Sequence, residues 1–368
     1  MQIMHIRNYI YVIALTLNVL LTSCGSMGPK SMRAGRMEYN KALGQSSSEQ
    51  LLLNIVKMRF LDRPVFLNVT SMTSNLSFES ELSTTTADVF KSTQFATTIN
   101  PTLTWKDNPT ITYQELTGVE YVVQMLSPIS SDTIVLLLQS WPADMVLPIA
   151  VKEINSINNN WNPFSPNLNA GAIIEHKRFN DVAKVIQSLT HQRILEWSVA
   201  RKVGASVGTV EAAILLNRPN DSKTTELIQT FLSDLGLQKA KEGSTRFSVE
   251  YGLEKKDSNT IVFGTRSMQD ILSFASMDVD IPDHMQDLVM PMNISWGDQE
   301  LHKLLQIKSS SSRPENVAVA IPYRGEWFYI SSDDLQSKAA FLLIQVLMDM
   351  QSGATTSGTP VLTIPVSS

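Results

Sequence analysis

The chain has 368 residues, 43% of them hydrophobic, with 30 Lys and Arg against 35 Asp and Glu. A formal charge of −5 and a charged fraction of only 18% lack the basic surplus that nucleic-acid binding needs. A single cysteine excludes a disulfide framework, so stability must come from packing, and the length suits one large core or a few smaller ones.

His5 and Arg7 precede an apolar run from Ile10 to Leu21, broken by Thr16 and Asn18. A positive flank, a short hydrophobic core and small residues at its end predict a secretory signal over residues 1–23. The run is too short to cross a bilayer, which takes about 20 apolar residues. Behind it stands Leu21-Thr22-Ser23-Cys24, with the only cysteine of the chain. These four residues resemble the lipobox of bacterial lipoproteins. The resemblance implies cleavage before Cys24 and acyl chains, palmitate among them, on the new first residue. One acyl chain binds a membrane marginally and two bind it stably, so membrane lipid held through Cys24 is the first expected partner. The other reading is ordinary secretory cleavage that leaves a free thiol. Gly25 stands where aspartate would favour the inner membrane of a two-membrane bacterium. It therefore implies the outer membrane, with the body facing the periplasm.

Residues 24–32 read as a lipidated tether, "GSMGPKSM" having no periodic pattern. An N-terminal α+β domain is expected over 33–154. It opens with a helix from Arg33 to Leu43. A second helix starts at Ser46, where Ser46 and Glu49 match a capping box, and Pro64 stops it. The period then changes to two over 65–83, which predicts two strands or one strand bulged near Thr73–Asn75. "NPTLTW" at 100–105 and "NPTITY" at 108–113 are a local repeat with turn residues between them. They read as a hairpin with Leu103, Trp105, Ile111 and Tyr113 on one face, covered by a helix at 118–126 or offered to a partner. Three helical segments follow, with Pro142 in the first turn of the last and Pro148 inside it, where a kink or break is expected.

The segment 155–171, rich in Asn and Pro, reads as a long loop or domain boundary. Trp161 and Phe164 are its candidate contact residues, since aromatics in polar loops often anchor partners. A C-terminal α+β domain is expected over 172–350. Its elements are helices at 178–190 and 222–235, strands at "RILEWSVAR", "RFSVEYGL" and "TIVFGTR", and a helix capped by Ser267 and Asp270. "TVEAAILLN" fits a strand or a helix. Two strands joined at Arg324-Gly325 then lead into a helix with Ser332 as its cap. A flexible tail fills 351–368, and its "PVLTIPV" could add to a sheet edge. The fold class is α+β: antiparallel strands and hairpins packed with helices in several layers, with room for two subdomains.

Catalytic patterns are absent from the sequence. His176, His191, His284 and His302 form no zinc-type pair, and "DVDIPDHMQD" does not match a calcium loop. "GASVGT" at 204–209 lacks the lysine of a phosphate loop, and no G-x-S-x-G elbow occurs. Arg324 reads as an exposed hairpin charge, with carboxylate binding as the other reading. "LLLNIVKMRFLDRPVFLNVTS", "NPTITY" and "PYRGEWFYISSDDLQSKAAFLLIQVL" resemble stretches of a family of predicted bacterial lipoproteins without an assigned activity. That resemblance implies one folded body and supplies no catalytic residues or cofactor. The expected function is a non-catalytic, membrane-anchored scaffold or assembly component of an envelope complex, with envelope proteins as partners and no nucleic acid. The alternatives are a glycan or small-ligand binder and, third, an enzyme acting on an envelope polymer.

Overall fold

The computed structural model describes residues 27–353, apart from 74–75, 87–96, 108–109, 160–169, 202–209, 218–220, 240–242, 253, 255–256 and 291–304. Cys24, Trp161, Phe164, the glycine segment at 204–209 and the tail lie outside the described residues.

A single helix, α1 (Met27–Arg59), replaces the tether and the two helices expected at the start. Its 33 residues extend about 50 Å at 1.5 Å per residue. Pro29 falls in its first turn, where the missing N–H costs nothing. The Ser46–Glu49 pattern is no cap, because it lies inside this helix. There Gln45 Nε2 donates to Glu49 Oε1 at 2.8 Å and the Ser48 hydroxyl donates to the Gly44 carbonyl. Leu51, Leu52, Ile55 and Val56 are buried. Past its end, Phe60 meets Tyr323 and Phe328, with ring centroids 5.5 and 6.1 Å away. The two ends of the chain thus share one apolar layer.

Next come β1 (Leu67–Thr73), β2 (Leu76–Thr86), β3 (Thr97–Asp107) and β4 (Thr110–Glu115). The α2 turn (Gly118–Tyr121) runs into a π-helical turn (Val122–Leu126), and α3 (Ser131–Leu138) is capped by Ser130, which accepts from Thr133 N–H at 3.1 Å. In α4 (Ala143–Ala150) the break expected at Pro148 comes within two residues, and the chain enters β5 (Val151–Ile154) directly. The remaining elements are β6 (Ile157–Asn158), α5 (Ala170–His191), β7 (Leu195–Arg201), β8 (Val210–Leu216), α6 (Ser222–Asp234), β9 (Thr245–Tyr251), β10 (Thr260–Thr265), α7 (Met268–Ser276), β11 (Lys308–Ser310), β12 (Val317–Tyr323), β13 (Glu326–Ser331) and α8 (Leu335–Gly353).

The central sheet has six strands in the order β6-β5-β10-β9-β8-β7. Its strands come from both sides of the 155–171 segment. That segment is not wholly loop: Asn155 and Ser156 take positive φ (45° and 73°), the two-residue hairpin conformation, and return the chain as β6. The strands read at "RFSVEYGL" and "TIVFGTR" are β9 and β10, and they pair in parallel. "TVEAAILLN" is strand β8, antiparallel to both β7 and β9. A second sheet, β11-β13-β12, turns at Arg324-Gly325 with φ of 51° and 90°, as a tight hairpin requires. The box of Ser267 and Asp270 on α7 is present in full, whereas α8 is capped by Asp334, which accepts from Ser337 N–H at 3.0 Å, and not by Ser332. One apolar cluster runs from Leu51 to Leu347 and includes both sheets and the helices around them. The fold is a mixed α+β arrangement of antiparallel and parallel sheets packed against helices.

Candidate interaction surface

The repeat at 100–113 does not fold back on itself. "NPTLTW" lies on β3, which pairs with β2; "NPTITY" leads into β4, which pairs with β1. Both ladders are antiparallel. Thr73 stands opposite Thr110 and Leu76 opposite Asp107, so the second ladder continues the register of the first. The result is a ribbon of two ladders in one register, β1–β4 from Leu67 to Thr73 and β2–β3 from Leu76 to Thr86. The longer ladder extends about 35 Å at about 3.3 Å per residue. A bulge between Val69 and Ser71 adds Thr70, whose hydroxyl donates to the Thr112 carbonyl at 3.3 Å.

Facing residues of an antiparallel pair lie on the same side of the pleat, and the sides alternate. In the β2–β3 register one set of alternate pairs is Leu76 with Asp107, Phe78 with Trp105, Ser80 with Leu103, Leu82 with Pro101, Thr84 with Ile99 and Thr86 with Thr97, so that Asp107, Ser80, Thr84, Thr86 and Thr97 are its polar members. Every pair on the other side, from Ser77 with Lys106 to Thr85 with Thr98, is polar, and Glu79 and Glu81 belong to it. The β1–β4 ladder repeats the segregation: Val69 faces Tyr113 and Met72 faces Ile111, while Asn68 faces Gln114 and Thr73 faces Thr110. Leu67, Val69 and Tyr113 are exposed. Among the described residues, the substantial element contacts of β2 and β3 are with each other.

The ribbon is bolted to α1 by two side-chain amides. Asn54 Oδ1 accepts from Val65 N–H at 2.9 Å while its Nδ2 donates to the Val65 carbonyl at 2.7 Å. One helical turn earlier, Gln50 Oε1 accepts from Leu67 N–H at 2.8 Å and its Nε2 donates to the Leu67 carbonyl at 3.3 Å. Each amide mimics a neighbouring strand. Leu116 N–H donates to the Phe66 carbonyl at 2.9 Å, and Arg63 pairs with Glu115 at 3.2 Å across the base. Because Val65 sits beside Asn54 and Leu67 beside Gln50, the ribbon sets off antiparallel to α1, towards the end where Cys24 lies in the sequence. The sequence offered one signal for Asn54: a polar residue on an apolar helix face.

The expected cover over the ribbon is not supplied by residues 118–126. Val119 is 80% exposed there, and Val122, Val123 and Leu126 are exposed with it. Arg324 binds a carboxylate, but one of its own chain. Its Nη2 lies 2.8 Å from Asp62 Oδ2, its guanidinium stacks near Phe60 and Tyr323, and the Tyr323 hydroxyl also donates to Asp62. The Tyr323 hydroxyl, then Arg324, hold Asp62 below the usual carboxylate range. The arginine thus ties the turn of the second sheet to the end of α1.

A buried polar cluster went unread in the sequence. Asn159, on the described edge of the Asn-rich segment, donates through Nδ2 to the carbonyls of Pro148 and Val151 at 3.0 and 2.8 Å, satisfying the acceptors freed where α4 ends. His176 Nδ1 lies 2.7 Å from Asn159 Oδ1, and its Nε2 lies 3.0 Å from Asn180 Nδ2. A neutral ring with the proton on Nδ1 satisfies both. Burial, with Arg266 nearby, pushes His176 down to about 4. Arg266 is itself buried; its Nη2 donates to the Asn159 carbonyl and its guanidinium lies 4.4 Å from the Phe274 ring centroid. Burial lowers it to about 10. Arg266 Nη1 and Asn180 Oδ1 have no hydrogen-bond partner among the described residues.

Among the described residues no three His, Cys, Asp or Glu gather to hold a metal. His284 lies 3.4 Å from Glu326 and not among converging aspartates. Also among them, no helix is long and apolar enough to cross a membrane. No family model matches the chain, and neither the curated proteins nor the solved structures contain a match. What stands out is an amphipathic ribbon mounted on a long helix.

Proposed function

We propose that the chain is a non-catalytic envelope lipoprotein, anchored through Cys24 at the outer membrane and serving as an assembly component of an envelope complex. The observation that carries this reading is the ribbon. A two-stranded hairpin is marginal in water on its own, and among the described residues the substantial contacts of β2 and β3 are with each other, while Leu67, Val69 and Tyr113 at the base are exposed. The lipobox resemblance at Leu21–Cys24 supports the anchor. The test is fractionation of cells carrying wild type and Cys24→Ser, with mass spectrometry of the mature N-terminus, followed by affinity purification from detergent extracts. Acyl mass on Cys24, release of Cys24→Ser from membranes and a stable set of co-purifying chains are expected. A mature chain that begins elsewhere removes the anchor; a solitary monomer removes the assembly role.

A further inference from the structure

The helical turns after β4 have two unlike sides. Gln124 and Met125 are buried, and the Tyr121 hydroxyl donates to Gln269 Oε1 of α7 at 3.1 Å. Val119, Val122, Val123 and Leu126 are 80, 50, 40 and 44% exposed. Steps of three, four and seven residues fall on one side of a helix, so these four aliphatic side chains form one exposed stripe. The π-helical turn beneath it is closed by Ser127 N–H on the Val122 carbonyl at 3.1 Å; such turns are rare and frequently mark functional sites. We propose that the stripe is the seat of the chain's own C-terminal segment, Pro360 to Val366, which packs on it within the same molecule.

The place where α8 ends favours this occupant. α8 packs against the π-helical turn, and Gln351 Nε2, just before the helix ends at Gly353, donates to the Ser127 carbonyl at 3.5 Å. The helix therefore delivers the chain beside Leu126. From there the stripe runs about 10 Å at 1.5 Å per residue. Residues 354–359, "ATTSGT", are small and span about 20 Å when extended, so Pro360 can reach any part of the stripe. Chemistry favours the same segment. It holds Val361, Leu362, Ile364 and Val366, and no residue from 351 to 368 is charged. No charged side chain has to be stripped of water before these residues lie on valine and leucine. Pro360 and Pro365 limit the freedom of the segment in solution, which lowers the entropy lost on docking. They also withhold donors that would commit it to a sheet. A charged partner finds little to answer it at the stripe. Residues 115–131 include Glu115 and Glu120 and no Lys or Arg, and Glu120 already accepts from Gln124 Nε2 at 3.3 Å. The same lack of basic residues disfavours a membrane surface, which takes helices whose polar side carries Lys and Arg.

The test is disulfide trapping in the full mature chain carrying Cys24→Ser, which removes the only native thiol. Val123→Cys with Leu362→Cys should close a bond within one chain under mild oxidant, read by intact mass and by an unchanged particle size. Closure should be about tenfold faster than in the same pair with Ile364→Asp and Val366→Asp added, because docking raises the effective concentration of the two thiols and random collision does not. In the chain with native valines, removal of residues 354–368 should quicken hydrogen exchange over 119–126 while β7 to β10 keep their protection. Equal closure rates in the two pairs, a bond formed between chains, or exchange unchanged by the truncation would overturn the proposal. The docking does not depend on Cys24: absence of acyl mass on wild type overturns the anchor alone.

Discussion

His176 is a base that the fold keeps neutral. In the unfolded chain it takes a proton near its ordinary 6.5, but in the folded protein burial and then Arg266 hold it to about 4. Between those values the unfolded state binds the extra proton, so stability is complete above about pH 6.5 and falls as pH drops towards about 4. The loss amounts to about 3 kcal/mol. Urea unfolding across this window should show the decline, and His176→Gln should be less stable at neutral pH but flatter in acid. A wild-type curve that is level over the window would contradict the buried neutral ring. Arg324 contrasts with it. The sequence reads this side chain first as a hairpin charge and second as a carboxylate binder, and the carboxylate it meets is Asp62, some 260 positions earlier. The pattern of residues gives a side chain its chemistry and leaves the identity of a distant partner open.

Elements were legible where their signal is local. Period two gave the strands around Arg324-Gly325, and the box at Ser267 gave the start of α7. Gly325 sits at φ 90° with open space at its Cβ position, so Gly325→Ala should cost about 1 kcal/mol through backbone strain alone, read as a lower thermal midpoint. Pairing was not legible. "NPTLTW" and "NPTITY" announce strands, but a strand does not name its neighbour, and theirs lie back along the chain on β2 and β1. Asn54 shows why the root of the ribbon stayed hidden. On a helix it reads as an interruption; only the folded chain places the Val65 peptide beside it. Asn54→Ala should leave that half-buried peptide without its two partners and cost about 1 kcal/mol. Hydrogen exchange should quicken across 65–69 and 113–116 while β7 to β10 keep their protection; equal change throughout would mean that the amide holds the core and not the ribbon.

At the scale of the molecule, body and ribbon make separate claims on the chain. Phe66 and Leu116 belong to the apolar cluster and bracket the β1–β4 ladder, so that ladder joins the core at its base. Thr73 and Thr110 face each other on β1 and β4. Replacing residues 74–109 by Asn-Gly, the pair that a two-residue hairpin prefers, would close the ladder at that rung. Such a chain keeps both amide clamps, both sheets and the whole cluster. It should unfold with a thermal midpoint close to that of wild type and give the same near-ultraviolet spectrum from its remaining aromatics. It should also lose its co-purifying envelope chains, even though its surface elsewhere, including Val119 and Val122, is intact. A shortened chain that cannot fold would place the removed residues inside the stability of the body. One that folds and still assembles would move the contact surface to the exposed valines of the α2 turn and the π-helical turn after it.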